Sequence, residues 1–250
     1  MSKKPLLEPA SYYKFGPLFE KGALCTFSRT LKNMSFDYGD IRDTLANRKD
    51  FLGALGLSWQ ELVCARQAHG DGIACVTFKD KGRGAFSGAG AIADIDALVT
   101  SEKGLALGIF TADCLSIFLY DPQIPAIGLV HAGWQGSQKG IASKAVEAMK
   151  KEFNCRPQDL CAGFGPSIRS CCYEVGGRMN DYFKTGILER DKRYYLDLVK
   201  INAAQLKEAG VREARIVDSM LCTSCRSEEF FSYRRQGQDA GRTISVAMLR

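Results

Sequence analysis

Three short apolar runs, Leu105 to Phe110, Leu115 to Tyr120 and Ala126 to Val130, follow one another with only a few residues between them. Each has the length of a strand, and their unbroken apolar character predicts strands covered on both faces. Asp121-Pro122 is a turn signal. The link to the third run is too short for a crossover helix, which predicts that those two strands are antiparallel and that the sheet is mixed.

Helices fit around that sheet. After the third run, Ile141, Ala142, Ala145, Val146, Met149 and Phe153 recur at three- and four-residue spacing, with Lys144, Glu147, Lys150 and Lys151 between them, which predicts a helix with one buried face. Ile41, Leu45 and Leu52 predict another over 41–53, with Asp40 as N-cap and Gly53 or Gly56 as stop. A third is predicted from about Tyr195 to Glu208, ending at Gly210, followed by strands at Ala214–Val217 and Thr243–Leu249. The class is α/β or α+β.

The chain has 250 residues, 46% of them hydrophobic, and neither a repeat nor a linker marks a boundary, so one continuous domain over 1–250 is expected. No stretch approaches the roughly 20 apolar residues that span a bilayer, and Met1-Ser2-Lys3-Lys4-Pro5 leads into Glu8 and Tyr12 without a leader-like apolar run. A cytoplasmic protein with no membrane association is expected, and most of its ten cysteines should stay reduced. The net charge of +6 is dispersed, with no nucleic-acid-binding signature. It suits small anions.

The chemistry concentrates in three turns. The only two histidines, His69 and His131, stand in Gln67-Ala68-His69-Gly70 and His131-Ala132-Gly133-Trp134-Gln135-Gly136, and Thr111-Ala112-Asp113-Cys114 lies between them. Two imidazoles and a thiolate are a zinc donor set, and three protein ligands leave a position for water or substrate, as in catalytic sites. Copper competes for the same donors. A buried, inert cysteine is the commoner role of a single thiol, but two histidines in comparable turns shift the balance towards a shared site. Strand, turn, glycine and helix across Val130–Gly140 also put free N–H groups beside His131, where an anion can sit.

Other motifs are weaker. Cys222-Thr223-Ser224-Cys225 lacks an evident second pair for a structural zinc, so ordinary packing is expected for Cys222 and Cys225, with Cys171-Cys172 a separate adjacent pair. Gly163-Phe164-Gly165-Pro166-Ser167-Ile168 lacks the lysine of a P-loop. Phe230-Phe231-Ser232-Tyr233-Arg234-Arg235 joins aromatic and guanidinium groups able to stack a base or hold an anion.

Together, Asn47-Arg48, Gln67-Ala68-His69-Gly70, Asp96-Ala97-Leu98-Val99-Thr100, Thr111-Ala112-Asp113-Cys114, His131-Ala132-Gly133-Trp134, Gly165-Pro166-Ser167-Ile168, Cys172-Tyr173-Glu174-Val175-Gly176 and Phe231-Ser232-Tyr233-Arg234-Arg235 resemble the YfiH-like, or laccase-domain, family from about Leu24 onward. The resemblance implies an α+β fold of layered mixed β-sheets flanked by helices. It implies a metal on His69, Cys114 and His131, and phosphorolysis of adenosine, inosine, guanosine or methylthioadenosine with adenosine deamination beside it. Purine nucleosides and phosphate are the implied partners. Arg29, Gly133 and Arg234 are the candidate substrate or anion contacts. The chain departs from the family pattern at Gln135, where arginine is usual, at Ser116, where proline is usual, and in a shortened loop after Arg29.

Three alternatives remain at this stage. The family's older description implies copper-dependent oxidation of polyphenols, although two histidines are few for multicopper centres. Cys114 with His131 as base suits a hydrolase, and editing of peptidoglycan precursors is one family-linked role. A zinc-stabilised binding module without turnover would need a closed fourth ligand, for which Asp113, Cys171 and Cys172 are candidates.

Overall fold

The computed structural model describes residues 12–16, 19, 22–29 and 31–250. The amino-terminal residues Met1 to Pro5 and Glu8, read above for a leader, lie outside the described residues.

Two six-stranded mixed sheets stack face to face between helices. The first runs β1 (Tyr12–Lys14), β2 (Ala23–Ser28), β15 (Thr243–Leu249), β7 (Ala106–Thr111), β3 (Leu62–Arg66) and β5 (Ile92–Ala93). The second runs β14 (Ile216–Asp218), β10 (Cys161–Phe164), β8 (Leu115–Asp121), β9 (Ala126–Ala132), β6 (Ala97–Thr100) and β4 (Ile73–Cys75). A small third sheet orders β11 (Glu174–Val175), β13 (Arg193–Leu196) and β12 (Ile187–Arg190).

The three apolar runs are β7, β8 and β9, and the last two pair antiparallel, with Ile117 opposite Val130 and Leu119 opposite Gly128. Their plain apolar reading has a simple cause: both faces are buried. Along β8, Phe118 and Tyr120 point into the layer between the sheets with Leu107, Ile109 and Leu129. Ile117 and Leu119 point the other way, against Ala145, Val146 and Met149 of helix α3 (Ile141–Phe153) and Ile201 and Leu206 of helix α4 (Leu198–Glu208). Gly128 of β9 lets α3 approach, since a Cβ there would lie 3.3 Å from the Met149 sulfur.

Helix α1 (Ile41–Ala54) covers the outer face of the first sheet, packing Phe51 and Leu52 on Leu62, Ile244 and Val246. Asp40 caps it, its carboxylate accepting from the N–H groups of Arg42 and Asp43 at 2.7 and 3.1 Å. Gly53 falls inside its last turn, and Gly56, with φ at 71°, is the stop.

Two boundaries differ from the sequence reading. Tyr195 belongs to β13, and α4 begins only at Leu198, because Asp197 accepts from the N–H of Lys200 at 2.9 Å and sets the start. In the predicted strand Ala214–Val217, Glu213–Arg215 is a 3-10 turn and β14 begins at Ile216. Among the described residues no helix is long and apolar enough to cross a membrane.

Candidate metal centre

The three chemistry-bearing turns meet at one end of the stacked sheets. His69 follows β3 of the first sheet, Cys114 lies where the chain passes from β7 to β8, and His131 is near the end of β9. The donor atoms of these three residues all lie within 4.8 Å of one another, and the imidazole rings stand edge to face, 4.9 Å apart. Among the described residues no further His, Cys, Asp or Glu joins this group.

Asp96, fully buried just before β6, organises both histidines. One carboxylate oxygen accepts from the N–H groups of Ala68 and Gly70 at 3.2 and 2.7 Å, the other from the His69 N–H at 3.0 Å. These bonds hold His69 at φ 57°, a left-handed conformation that an isolated histidine seldom adopts. The second oxygen also lies 2.7 Å from Nδ1 of His131, leaving Nε2 of that ring to face Cys114. Burial pushes the Asp96 carboxyl up, yet the bond and charge of His131 with the N–H groups of Gly70 and Ala68 bring it below its ordinary value. A carboxylate behind a ligating histidine fixes the tautomer and raises the donor strength of the other nitrogen.

Cys114 and His131 polarise each other. Burial raises the thiol, but the charge of His131 and hydrogen bonds from His131 and His69 outweigh it and bring Cys114 down to about 6. Burial lowers the imidazole, and the Cys114 charge with the Asp96 hydrogen bond raises His131 to about 9. The metal-free pair is therefore a thiolate beside an imidazolium around neutral pH.

Asp113 supports the cysteine from the other side. It takes φ 91°, and its carboxylate accepts from the Thr223 and Ser232 hydroxyls at 2.6 and 3.0 Å and from the Arg234 N–H at 2.6 Å. It is thus engaged with the protein rather than grouped with the three donors. Gly133, the N-cap of the short helix α2 (Trp134–Gln138), lies against the thiol: a Cβ there would be 3.0 Å from the Cys114 sulfur and 3.4 Å from His69 Cδ2. The Gly133 backbone, at φ −73°, suits any residue, so Gly133→Ala should leave stability within about 1 kcal/mol of the parent while weakening metal binding by about ten- to a hundredfold. Urea unfolding and chelator competition measure the two effects separately.

A pocket of about 660 Å³ opens over the centre. Arg48, Arg66, Arg234 and Arg242 line it together with aromatic rings that include Phe36, Tyr38, Trp134 and Tyr173. Arg234 lies over the Tyr173 ring at 5.3 Å. Arg48, in the Asn47-Arg48 motif, has its guanidinium buried between Phe36 and Phe110, at 4.0 and 4.5 Å. It donates to the backbone oxygens of Met34, Gly84 and Ala85, and among the described residues no carboxylate oxygen lies within 4 Å of it. A run of buried arginine with aromatics is the signal that sequence reasoning lacked here, because Phe36 and Phe110 are distant from Arg48 along the chain.

The remaining candidates stand apart. Arg29 is not among the pocket-lining residues; it pairs with Glu229 at 3.2 Å and lies over the Tyr13 ring. The N–H groups of Gly165, Ser167 and Ile168 bond the oxygens of Ser116, Leu221 and Asp113, so that glycine-rich segment is committed to the fold rather than free as a phosphate cradle. Arg235 donates to the backbone oxygens of Thr223, Ser224 and Phe230. Cys222 and Cys225 do have a second pair beside them, which differs from the sequence reading: parallel pairing of β10 with β14 carries Cys171 and Cys172 to them, and all four sulfurs lie within 4.8 Å of one another.

Stacked mixed sheets between helices place three donors that could hold a metal ion beneath a pocket lined by arginines and aromatic rings. The chain belongs to the family described as multi-copper polyphenol oxidoreductase laccase, whose model matches residues 22–250. Purine nucleoside phosphorylase YlmD of Geobacillus stearothermophilus is 35% identical over 223 residues, covering 85% of this chain and 81% of that protein. Adenosine deaminase RL5, from an unknown prokaryotic organism, is 35% identical over 215 residues, or 82% of this chain and 79% of that one. The crystal structure of YlmD from G. stearothermophilus matches with a TM-score of 0.94 at 32% identity over 98% of both chains. That of the Bacillus licheniformis hypothetical protein YfiH gives 0.93 at 30% identity, over 98% of this chain and 99% of that one.

Proposed function

We propose that this protein is a zinc-dependent purine nucleoside phosphorylase that also deaminates adenosine. The observation that carries the reading is the convergence of His69, Cys114 and His131 beneath a pocket whose charged lining is dominated by arginine. Two nitrogens and one sulfur within 4.8 Å, with Asp96 behind one imidazole, fit zinc by donor type and spacing. When bound there, zinc supplies Lewis acidity for substrate oxygens or water.

The chain's own residues do the positioning. Purines have flat faces, and Phe36, Tyr38, Trp134 and Tyr173 offer ring surfaces to stack them. Phosphate carries two charges near neutral pH, and Arg48, Arg66, Arg234 and Arg242 provide guanidinium groups in the same pocket. In phosphorolysis a phosphate oxygen bonds ribose C1′ as the C1′–N9 bond breaks, and the purine leaves with that electron pair and takes a proton from water. In deamination water attacks C6 and ammonia leaves. The relative named adenosine deaminase supports keeping both activities. Copper-dependent phenol oxidation is disfavoured because both histidines of the chain belong to this one centre, leaving no imidazole for linked copper centres.

The test is incubation of zinc-loaded protein with adenosine, with and without phosphate, following adenine, inosine and ribose 1-phosphate by chromatography. Phosphate-dependent adenine establishes phosphorolysis and phosphate-independent inosine establishes deamination; absence of both overturns the reading.

Metal affinity should rise with pH. Between about 6 and 9 the thiol of Cys114 is already ionised while His131 still carries the proton that the metal must displace. Affinity should therefore increase about tenfold per pH unit across this range, and more steeply below about 6, where Cys114 must also lose a proton. Calorimetry in buffers of different ionisation enthalpy should show about one proton released per metal at pH 7.5. Affinity that is flat from pH 6.5 to 8.5 would contradict the thiolate–imidazolium description.

A further inference from the structure

The geometry points to a second, structural zinc site in which Cys171, Cys172, Cys222 and Cys225 all bind one ion at the outer edge of the pocket wall. It is independent of the nucleoside reading and shares no residue with the centre at His69, Cys114 and His131.

The four sulfurs come from two loops. Cys171 and Cys172 lie in the turn between β10 and β11, and Cys222 and Cys225 in the loop after β14. All four lie within 4.8 Å of one another, with Cys225 at 3.6 Å from Cys171 and 3.3 Å from Cys172. A tetrahedral ion with bonds of about 2.3 Å to sulfur holds neighbouring sulfurs about 3.8 Å apart, close to these spacings. The turn is shaped for it: the N–H groups of Cys172 and Tyr173 both bond the Arg169 oxygen, so two consecutive side chains converge on Cys225. The Cys222 sulfur on the opposite loop takes one N–H from each side, that of Arg169 from the first loop and that of Cys225 from its own, donors that support a thiolate ligand. Packing accounts for the buried Cys222 and for Cys172, which lies against the core, but not for Cys171 and Cys225, which are exposed.

Such an ion would join segments that shape the first centre's pocket. Ile168 and Tyr173 line that pocket from one loop, and Thr223 of the other donates its hydroxyl to Asp113, next to Cys114. The two loops already touch through Ser167 N–H on the Leu221 oxygen and Thr223 N–H on the Ser167 oxygen, at 3.2 and 3.1 Å. The zinc adds a pin beyond these bonds, at the rim where solvent competes with them. Binding requires loss of the thiol protons to solvent, with no change in oxidation state of metal or sulfur.

The experiment is metal analysis and cobalt substitution on full-length protein purified under reducing, anaerobic conditions. Two zinc ions per chain are expected, falling to one in Cys225→Ser and to one in Cys114→Ser. Cobalt-loaded Cys114→Ser should show the intense thiolate-to-cobalt charge transfer and ligand-field bands of a four-sulfur tetrahedral site, and Cys225→Ser should lack them. Alkylation gives a readout on the unmodified chain, in which the four thiols should be protected until a chelator is added. Three results overturn the site: a four-sulfur cobalt spectrum absent from the parent protein, protection that resists chelator and yields only to reductant, or iron in place of zinc. The first would leave the thiols unligated, and the second would make them disulfides.

Discussion

Cys114→Ser should empty the centre of zinc and lower nucleoside turnover by about a thousandfold or more, the order of loss when one member of a catalytic unit is removed. The reason is electrostatic as much as geometric. A serine hydroxyl stays protonated where the Cys114 thiol has come down to about 6, so both the anionic donor and the charge that raises His131 disappear together. Zinc content and turnover should fall in step. Retained zinc with lost turnover would instead assign Cys114 the role of nucleophile with His131 as its base. Unchanged turnover would sink both assignments.

Asp96→Asn should be nearly as damaging, although Asp96 is not among the three donors. Its two oxygens serve three backbone N–H groups and one imidazole, and an amide can place only its single oxygen towards one side of that set. Whichever way it turns, its NH2 group meets a donor. Metal affinity should fall about ten- to a hundredfold, the usual effect of losing a carboxylate behind a ligating histidine. The metal-free protein should also lose about 1–3 kcal/mol, the cost of leaving buried polar groups unpaired. Urea unfolding without zinc, followed by zinc titration against a competing chelator, separates these two losses. Equal affinity in the variant would mean that His69 and His131 are held by other contacts.

The parts of the fold that were legible in the sequence are those whose pattern is set by burial alone. Strands β7, β8 and β9 read as apolar because helices and a second sheet cover both their faces, and α3 read as helical because only one face is covered. The two- to four-residue strands of the third sheet offer no period to detect, and Tyr195 was drawn into a helix that a cap at Asp197 delays. At the centre, His69, Cys114 and His131 could be picked out because imidazoles are scarce in this chain. Asp96 stands in a recognisable motif, but its role is not legible there, since nothing local distinguishes a carboxylate that will cap a distant loop from one that faces water. Joining Cys171-Cys172 to Cys222 and Cys225 needed the parallel pairing of Ala162 with Ile216, a long-range fact that no motif spells out.

The donors of the first centre are shared out across the sandwich: His69 hangs from one sheet, His131 belongs to the other, and Cys114 sits on the segment that crosses between them. Neither sheet alone carries the whole donor set, so affinity for an ion is a property of the two layers assembled and not of either one. A metal ion bound only by the native arrangement would stabilise that arrangement by mass action. An ion held there would therefore fasten the two sheets together at this end, and loading the centre should slow their parting even though the ion itself is reached through the pocket.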